Sequence, residues 1–502
     1  MSRVYTFNKT VRGHLHVMNE FPCQDSSVSL SAENEKYFIA VIADGHGSKS
    51  CFRSDYGSKC ATEVATECLK QFAEATLASE ESEDRFYKDM FSNPRYRHMT
   101  IRRLTDTILA EWHDRVLNDY KNNPPTLEEM GDSAPLYEGG NNATHIYGTT
   151  LIAALQLPKC LLLIQQGDGR CDVFFLNGKV SQPIPWDERC EGTTTTSLCD
   201  EDAADSFRNV VIDTSEKHVI ACFLGSDGVE DAYRDTYEEL GGSHVLMGGV
   251  HTFYKDLICK LSSMEQVEFE DYLNNMLHDF SENGKFSRTG SGDDISVAGI
   301  VDIDSIKKFV SQYETDIKLY SLEEQLFWKE DELRGKKRKH GILKKRMDEA
   351  HTALEDADNN LHLLDERINN LHQQQDALSQ SAEAKKAELD KYQQESESVK
   401  AVFFGHYFTI TTEVQRFIKD ITVGYSKKEA SYREMREKLH NYNQEIAQLT
   451  AERIHCFDLM TELSAKFSDA KSAFDEYDSR CRLIAAEKDQ IEKEIAALEV
   501  DY

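Results

Sequence analysis

Aspartates recur where apolar runs begin or end, and glycine stands beside them. Asp44 closes FIAVIAD and opens Asp44-Gly45-His46-Gly47, Asp168 sits in QQGDGR behind LLLI, and Asp227 sits in FLGSDGVED behind HVIACF. Asp293 and Asp294 sit in SGDDISVAGI just before an apolar run, and Asp25 in PCQDSSVSL is a fifth candidate. Carboxylate oxygens at such places suit hard cations, Mg²⁺ or Mn²⁺. Glycine lets a backbone carbonyl approach the ion and lets the chain turn away. Acids crowded without a cation repel one another and stay partly protonated, and a pair of divalent ions relieves that strain. Two ions about 3.5–4 Å apart can clamp both oxygens of an in-line phosphoryl displacement. A nearby histidine can then protonate the leaving oxygen. Any one Asp-Gly also reads as an ordinary turn. Recurrence at strand ends, once with His46, is what points to a site.

The elements that must position these residues lie in the first three-fifths of the chain. All eight prolines fall at or before Pro185, and of 26 glycines only Gly335, Gly341, Gly405 and Gly424 lie beyond Gly299. That shift sets a boundary near residue 305 and predicts two domains, 1–304 and 305–502. In the first, KYFIAVIAD (36–44), TTLIAALQL (149–157), CLLLIQQGD (160–168), CDVFFLNGK (171–179), HVIACFLGSD (218–227) and ISVAGIVDI (295–303) are short, apolar and turn-bounded, as buried strands are. Residues 51–76 and 100–120 have helical spacing. Strands joined by close turns, with helices in separate runs, predict an α+β sandwich more than alternating βαβ units.

The second domain reads as helix throughout. Met347, Leu354, Leu361, Ile368, Gln375, Ala382 and Leu389 form one heptad row, and Ala350, Ala357, Leu364, Leu371 and Leu378 its companion. A second pair of rows runs from Leu439 and Tyr442 to Ile495 and Leu498. Such sustained periodicity predicts a coiled coil. Between the arrays, the aromatic-rich stretch 401–425 loses the heptad. It favours an antiparallel hairpin folding back near Gly405, with arms of roughly 70–95 residues on the order of 100–140 Å long; a parallel dimer is the alternative. The coiled coil would recruit a protein partner or join protomers, or else pack back as a regulatory arm. GKKRKHGILKKR (335–346) would grip an acidic or phosphate-rich partner or serve as a solvated face.

Five motifs, taken in order, resemble those of the type 2C, metal-dependent Ser/Thr protein phosphatases: ADGHG (43–47), YGTTL (147–151), GDGR (167–170), LGSDGVED (224–231) and DDISV (293–297). The resemblance covers residues 1 to about 304, and HLHVMNEFPCQDSS is similar to a bacterial-type branch of that family. It implies a β-sandwich flanked by helices with a binuclear Mn²⁺ or Mg²⁺ centre at one edge. Asp44 would bridge both ions, the Gly45 carbonyl would bind one of them, and Asp227 and Asp293 would complete the ligand set of the second ion. Asp168 with Asp227 would hold a looser third ion, Asp25 would hold metal-bound waters, and His46 would be the general acid. The implied reaction is hydrolysis of phosphoprotein monoesters by a hydroxide bridging two metals, without a phosphoenzyme. The alternative is a catalytically weak or inactive phosphatase-like scaffold or sensor acting through its coiled coil. Where the family carries a phosphate-binding arginine and an acidic pair, this chain has His16 and Gln24-Asp25. His16 is the first choice for the substrate phosphate, with His14 or Arg12 as substitutes. Gln24 has no assigned role, nor does Asp294, which cannot donate hydrogen bonds as an amide would. Residues 186–209 stand where the family places a flap, and 122–145 read as an insertion.

Bulk properties narrow the partners. With 58 Lys+Arg against 89 Asp+Glu, the net charge of −31 disfavours nucleic acid and anionic membrane. No stretch approaches the roughly 18 apolar residues of a membrane span. The twelve cysteines show no C-x-x-C spacing, and the first residues lack the apolar core of a secretory signal. Reduced thiols in a cytoplasmic setting are the expectation.

Overall fold

The computed structural model describes residues 3–140, 142–190, 194–233, 237–240, 243–246, 249–283, 291–390 and 426–500. The chain divides into two compact units, Met1–Glu324 with Ile495–Tyr502, and Gln325–Glu494.

The first unit is built on two five-stranded antiparallel sheets. In chain order the strands are β1 (Val4–Val11), β2 (Ser26–Ser31), β3 (Phe38–Ala43), β4 (Leu151–Leu157), β5 (Cys160–Gln166), β6 (Arg170–Phe175), β7 (Val180–Ser181), β8 (Arg208–Asp213), β9 (Val219–Gly225), β10 (Tyr237–Leu240), β11 (Ser243–Leu246) and β12 (Ile295–Asp302). One sheet runs β1-β12-β9-β6-β7 and the other β2-β3-β4-β5-β8, while β10 and β11 form a separate two-stranded sheet among the described residues.

The six apolar runs become β3, β4, β5, β6, β9 and β12, and the reason they lack alternation is burial on both faces. Side chains alternate across a strand. Phe38, Ala40 and Ile42 of β3 therefore point between the sheets, against Cys222, Leu224, Ala298 and Ile300. Ile39, Val41 and Ala43 point the other way, into a cluster with Val64, Leu69, Ile108 and Trp112. Those belong to the helices α2 (Ser54–Thr76) and α4 (Pro94–Asn122), which follow the short α1 (His14–Met18) and flank α3 (Glu80–Ser92). On the far side, Phe7, Phe223, Val297 and Val301 meet Phe253, Leu257, Leu273 and Leu277, from α6 (Gly249–Ser263) and α7 (Gln266–Asn283). Between these elements lies the single turn α5 (Asp227–Asp231).

Strands β1, β2 and β8 were not legible as apolar runs. Each is an edge strand of its sheet, and VYTFNKTV, SSVSLS and RNVVID mix polar side chains with apolar ones because most of their residues are only half-buried.

The long helical region consists of α8 (Val310–Asp390) and α9 (Ser426–Val500). In the first unit, Tyr313 and Tyr320 near the start of α8 are buried in the cluster that holds Phe253 and Phe280. In the second unit the cross-helix contacts set an antiparallel register. His340 Nε2 lies 2.9 Å from Asp478 Oδ1, Arg453 bonds to Asp365, Gln375 Nε2 donates to Asn443 Oδ1 at 2.6 Å, and Lys385 Nζ donates to Ser431 at 2.6 Å. Partner numbers fall on one helix as they rise on the other. Ile368, Leu371, Ile446 and Leu449, all from the heptad rows, form its buried cluster. The expected tip at 401–425 lies outside the described residues. Among these residues no helix is long and apolar enough to cross a membrane.

Candidate functional site

The strand ends place the aspartates on one edge of the sandwich. Asp44 follows β3 and is fixed through its backbone: its N–H donates to Thr150 Oγ1 at 3.0 Å, and its carbonyl accepts from Thr150 N and Thr149 Oγ1, each at 2.8 Å. Both threonines belong to the YGTTL stretch. Gly45 bridges to Thr149 and donates to the Gln24 carbonyl at 3.1 Å. A Cβ on Gly45 would lie 2.5 Å from that carbonyl oxygen and 2.8 Å from the Ser54 carbonyl oxygen, so only glycine fits. Asp227 begins α5, directly after β9. Asp168 stands between Gly167 (φ 95°) and Gly169 (φ 59°), both in the left-handed region that favours glycine. Its N–H donates to Thr195 Oγ1 at 3.1 Å. Thr195, Thr149 and Thr150 are braces that single motifs did not reveal as such.

Electrostatics show how tightly these groups are gathered. Burial pushes Asp25 well above the usual carboxylate range, and the charges of Asp294, Asp227 and Asp293 push it further. Asp44 is raised in the same way, by burial and then by Asp25 and Asp227, with which it also shares a hydrogen bond. Asp227 is pushed up to about 7, by burial first and by Asp168 next. Asp168 is also raised by burial, an effect opposed by the Thr195 hydroxyl. Among the described residues, Asp25 Oδ2 and Asp227 Oδ1 are buried with no hydrogen-bond partner. Buried carboxylate oxygens left without donors are expensive unless a cation compensates them. The donor set is all oxygen, so it fits Mg²⁺ or Mn²⁺.

Next to this group, His16, Asp293 and Asp294 offer ligand atoms within 4.8 Å of one another, which no other group of three does among the described residues. His16 Nδ1 lies 3.0 Å from Asp294 Oδ2, and Nε2 lies 3.4 Å from Asp293 Oδ1. Asp294, unassigned on sequence grounds, is a buried brace. It accepts from Gly13 N–H at 2.6 Å and from Gln24 N–H at 2.5 Å. Gln24 is a second brace, its amide donating to Ser54 Oγ at 2.6 Å and to the His46 carbonyl at 3.3 Å. A carboxylate serves at 294 because the groups facing it are backbone donors and a histidine. Arg12 donates to the His16 carbonyl at 3.0 Å, and the His14 N–H donates to Ser281 Oγ at 2.7 Å.

His46 donates its N–H to the Gly148 carbonyl at 3.1 Å. Burial, with the charge of His145, pushes its imidazole down to about 4, so the ring is neutral at pH 7. A phosphate dianion brought beside it would raise that value and let it hold a proton. Near Asp227 lies a buried contact that sequence reasoning missed: Arg170 Nε stands 3.0 Å from Glu230 Oε1, both nearly inaccessible. Burial pushes Glu230 up to about 8. Arg170 was visible only as the last residue of GDGR, and nothing in one dimension pairs it with Glu230.

Comparison with known proteins follows from this geometry. The sequence family described as Protein phosphatase 2C matches residues 12–278, more than half of the chain. A bacterial serine phosphatase structure is 15% identical, covers 60% of this chain and 98% of that one, and gives a TM-score of 0.34. The catalytic domain of the serine threonine protein phosphatase PstP, in complex with two manganese ions, is 14% identical over 59% of this chain and 97% of that one, with a TM-score of 0.32. The serine/threonine phosphatase Stp1 from Staphylococcus aureus is 15% identical over 60% of this chain and 95% of that one, with a TM-score of 0.33. No curated protein matches the sequence.

Proposed function

The chain belongs to the protein phosphatase 2C family, and from that premise we propose that it is a metal-dependent phosphatase acting on phosphoserine or phosphothreonine of a protein. The observation that carries this is the convergence of Asp25, Asp44, Asp168 and Asp227, with two buried carboxylate oxygens left unpartnered. Asp44, the Gly45 carbonyl, Asp227 and Asp293 would hold two Mn²⁺ or Mg²⁺ ions, and Asp168 with Asp227 a third. Such ions, when bound, lower the pKa of water and polarise phosphoryl oxygens. The chain's own residues then do the rest. Asp25 orients water through its buried carboxylate. His46, neutral until an anion arrives, takes up and delivers the proton to the leaving alkoxide. His16, which faces Asp293 and Asp294, is the residue that would meet a substrate phosphate oxygen.

The coiled-coil region would recruit a partner or join protomers, raising the local concentration of substrate. A cytoplasmic setting is supported by twelve cysteines that are all unpaired.

Hydrolysis of a chromogenic phosphate ester tests the enzyme reading. Mn²⁺-stimulated turnover is expected, abolished by chelation and lowered about 100-fold or more by Asp227→Asn, since removing a ligand forfeits several kcal/mol of charge stabilisation. No turnover with either metal would leave a phosphatase-fold scaffold instead.

A further inference from the structure

Helix α1 and the residues after it leave large apolar side chains in solvent beside the carboxylates. Leu15 is 54% exposed, Val17 53%, Met18 69% and Phe21 55%. The other exposed large apolar side chains of this unit among the described residues, Tyr56, Met99, Leu127, Leu176 and Val267, stand apart in sequence. Scattered apolar residues need no explanation, whereas a contiguous group marks a surface that another molecule covers.

This segment is held rigidly against the site. Leu15 N–H donates to the Gly292 carbonyl at 2.9 Å. Leu15 Cδ1 and Cγ lie 2.6 and 2.7 Å from where a Cβ on Gly292 would stand, so glycine at 292, next to Asp293, is what lets α1 sit so close. His16, on the same short helix, contacts Asp293 and Asp294. The Phe21 ring meets the His16 ring edge to face, with centroids 6.1 Å apart. Leu15, through Gly292, and Phe21, through His16, therefore hold this apolar segment beside the carboxylate cluster.

We propose that Val17, Met18 and Phe21, with the outer face of Leu15, form a substrate-recognition ridge. It takes a polypeptide carrying an apolar side chain a few residues from its phosphoserine or phosphothreonine. The proposal rests on the phosphatase reading above. A phosphoresidue seated at the carboxylates brings its flanking residues over this rim. The net charge of −31 disfavours acidic flanks, and burial against this ridge supplies attraction for apolar ones. A small phosphate ester does not extend to it.

The experiment compares two labelled phosphoserine peptides, one with leucines flanking the phosphoserine and one with serines. Each is measured for binding by fluorescence anisotropy and for hydrolysis, beside a chromogenic ester, in wild type and in Val17→Gln/Met18→Gln. Both positions are solvent-exposed and outside the metal-binding set. The leucine peptide should bind about tenfold or more tightly than the serine peptide, the factor that about 1.4 kcal/mol of apolar burial gives. The variant should raise its KM by that factor, with kcat and ester turnover unchanged. Equal binding of the two peptides to wild type, or an unchanged preference in the variant, overturns the ridge. Concentration-dependent self-association that the variant abolishes, with peptide preference unchanged, makes it a dimer face and also overturns it. Absent ester hydrolysis alongside a leucine preference that the variant loses overturns the phosphatase reading and upholds the ridge.

Discussion

Asp25, Asp44, Asp168 and Asp227 are all buried, and Asp25, Asp44 and Asp227 are made harder still to ionise by the charges of neighbouring aspartates. Without bound cations this has a thermodynamic consequence. Asp227 titrates near 7 in the folded chain and near 4 when unfolded. Between those values the folded state keeps a proton that the unfolded state has released, so stability falls as pH rises through that window. Asp25 and Asp44 are raised too, so they act in the same direction. The metal-free protein should therefore melt at a higher temperature at pH 5.5 than at pH 8. Mn²⁺ should raise the melting temperature more at pH 8, where the carboxylates most need it. Differential scanning calorimetry with and without chelator measures this, and a metal-free melting temperature that climbs from pH 5.5 to 8 would contradict the carboxylate cluster.

Strand ends and helix starts turn these residues into a site. Asp227 follows β9 and Asp293 precedes its paired neighbour β12 in one sheet, while Asp44 stands where β3 of the other sheet runs out, so strands of both sheets deliver carboxylates from distant sequence to one edge. Threonine hydroxyls and Asp294 then lock the loops. In the helical region, the element that matters is the layer of Ile368, Leu371, Ile446 and Leu449. Ile446 is fully buried there, and Ile446→Ala should lower the stability of this hairpin by about 2–5 kcal/mol. Chemical denaturation followed by circular dichroism would show it, while ester hydrolysis should be untouched. The adjacent Gln375–Asn443 pair is buried and mutually bonded, a polar layer that specifies register at some loss of stability.

At the scale of the whole chain, the phosphatase-family unit includes both the start of α8 and residues 495–502. Burial of Glu323, and the nearby charge of Glu499, raise its pKa, so these two parts of the unit are neighbours. Ending the chain at residue 310 would strip Tyr313 and Tyr320 from a core cluster. Replacing residues 325–494 with a short glycine/serine linker is the cleaner cut. If the coiled coil recruits a partner or joins protomers, ester turnover should stay within about twofold, a change of under about 0.5 kcal/mol. Self-association or partner binding, read by analytical ultracentrifugation, should be lost. A rise in ester turnover would instead identify the coiled coil as an inhibitory arm.

Local pattern was enough for the parts whose physics is local. Heptad rows specified paired helices, continuous apolar runs specified strands buried on both faces, and Asp-Gly motifs at strand ends marked candidate cation ligands. Edge strands β1, β2 and β8 stayed hidden, because half-buried side chains leave no clean period. Asp294 and Gln24 were unassigned because their partners, Gly13, His16, Ser54 and His46, come from separate segments. The Arg170–Glu230 pair and the exposed ridge at 15–21 were invisible for the same reason. Burial, pKa and mutual distance arise between segments, so only the folded chain could decide which carboxylates share charge and which apolar side chains remain uncovered beside them.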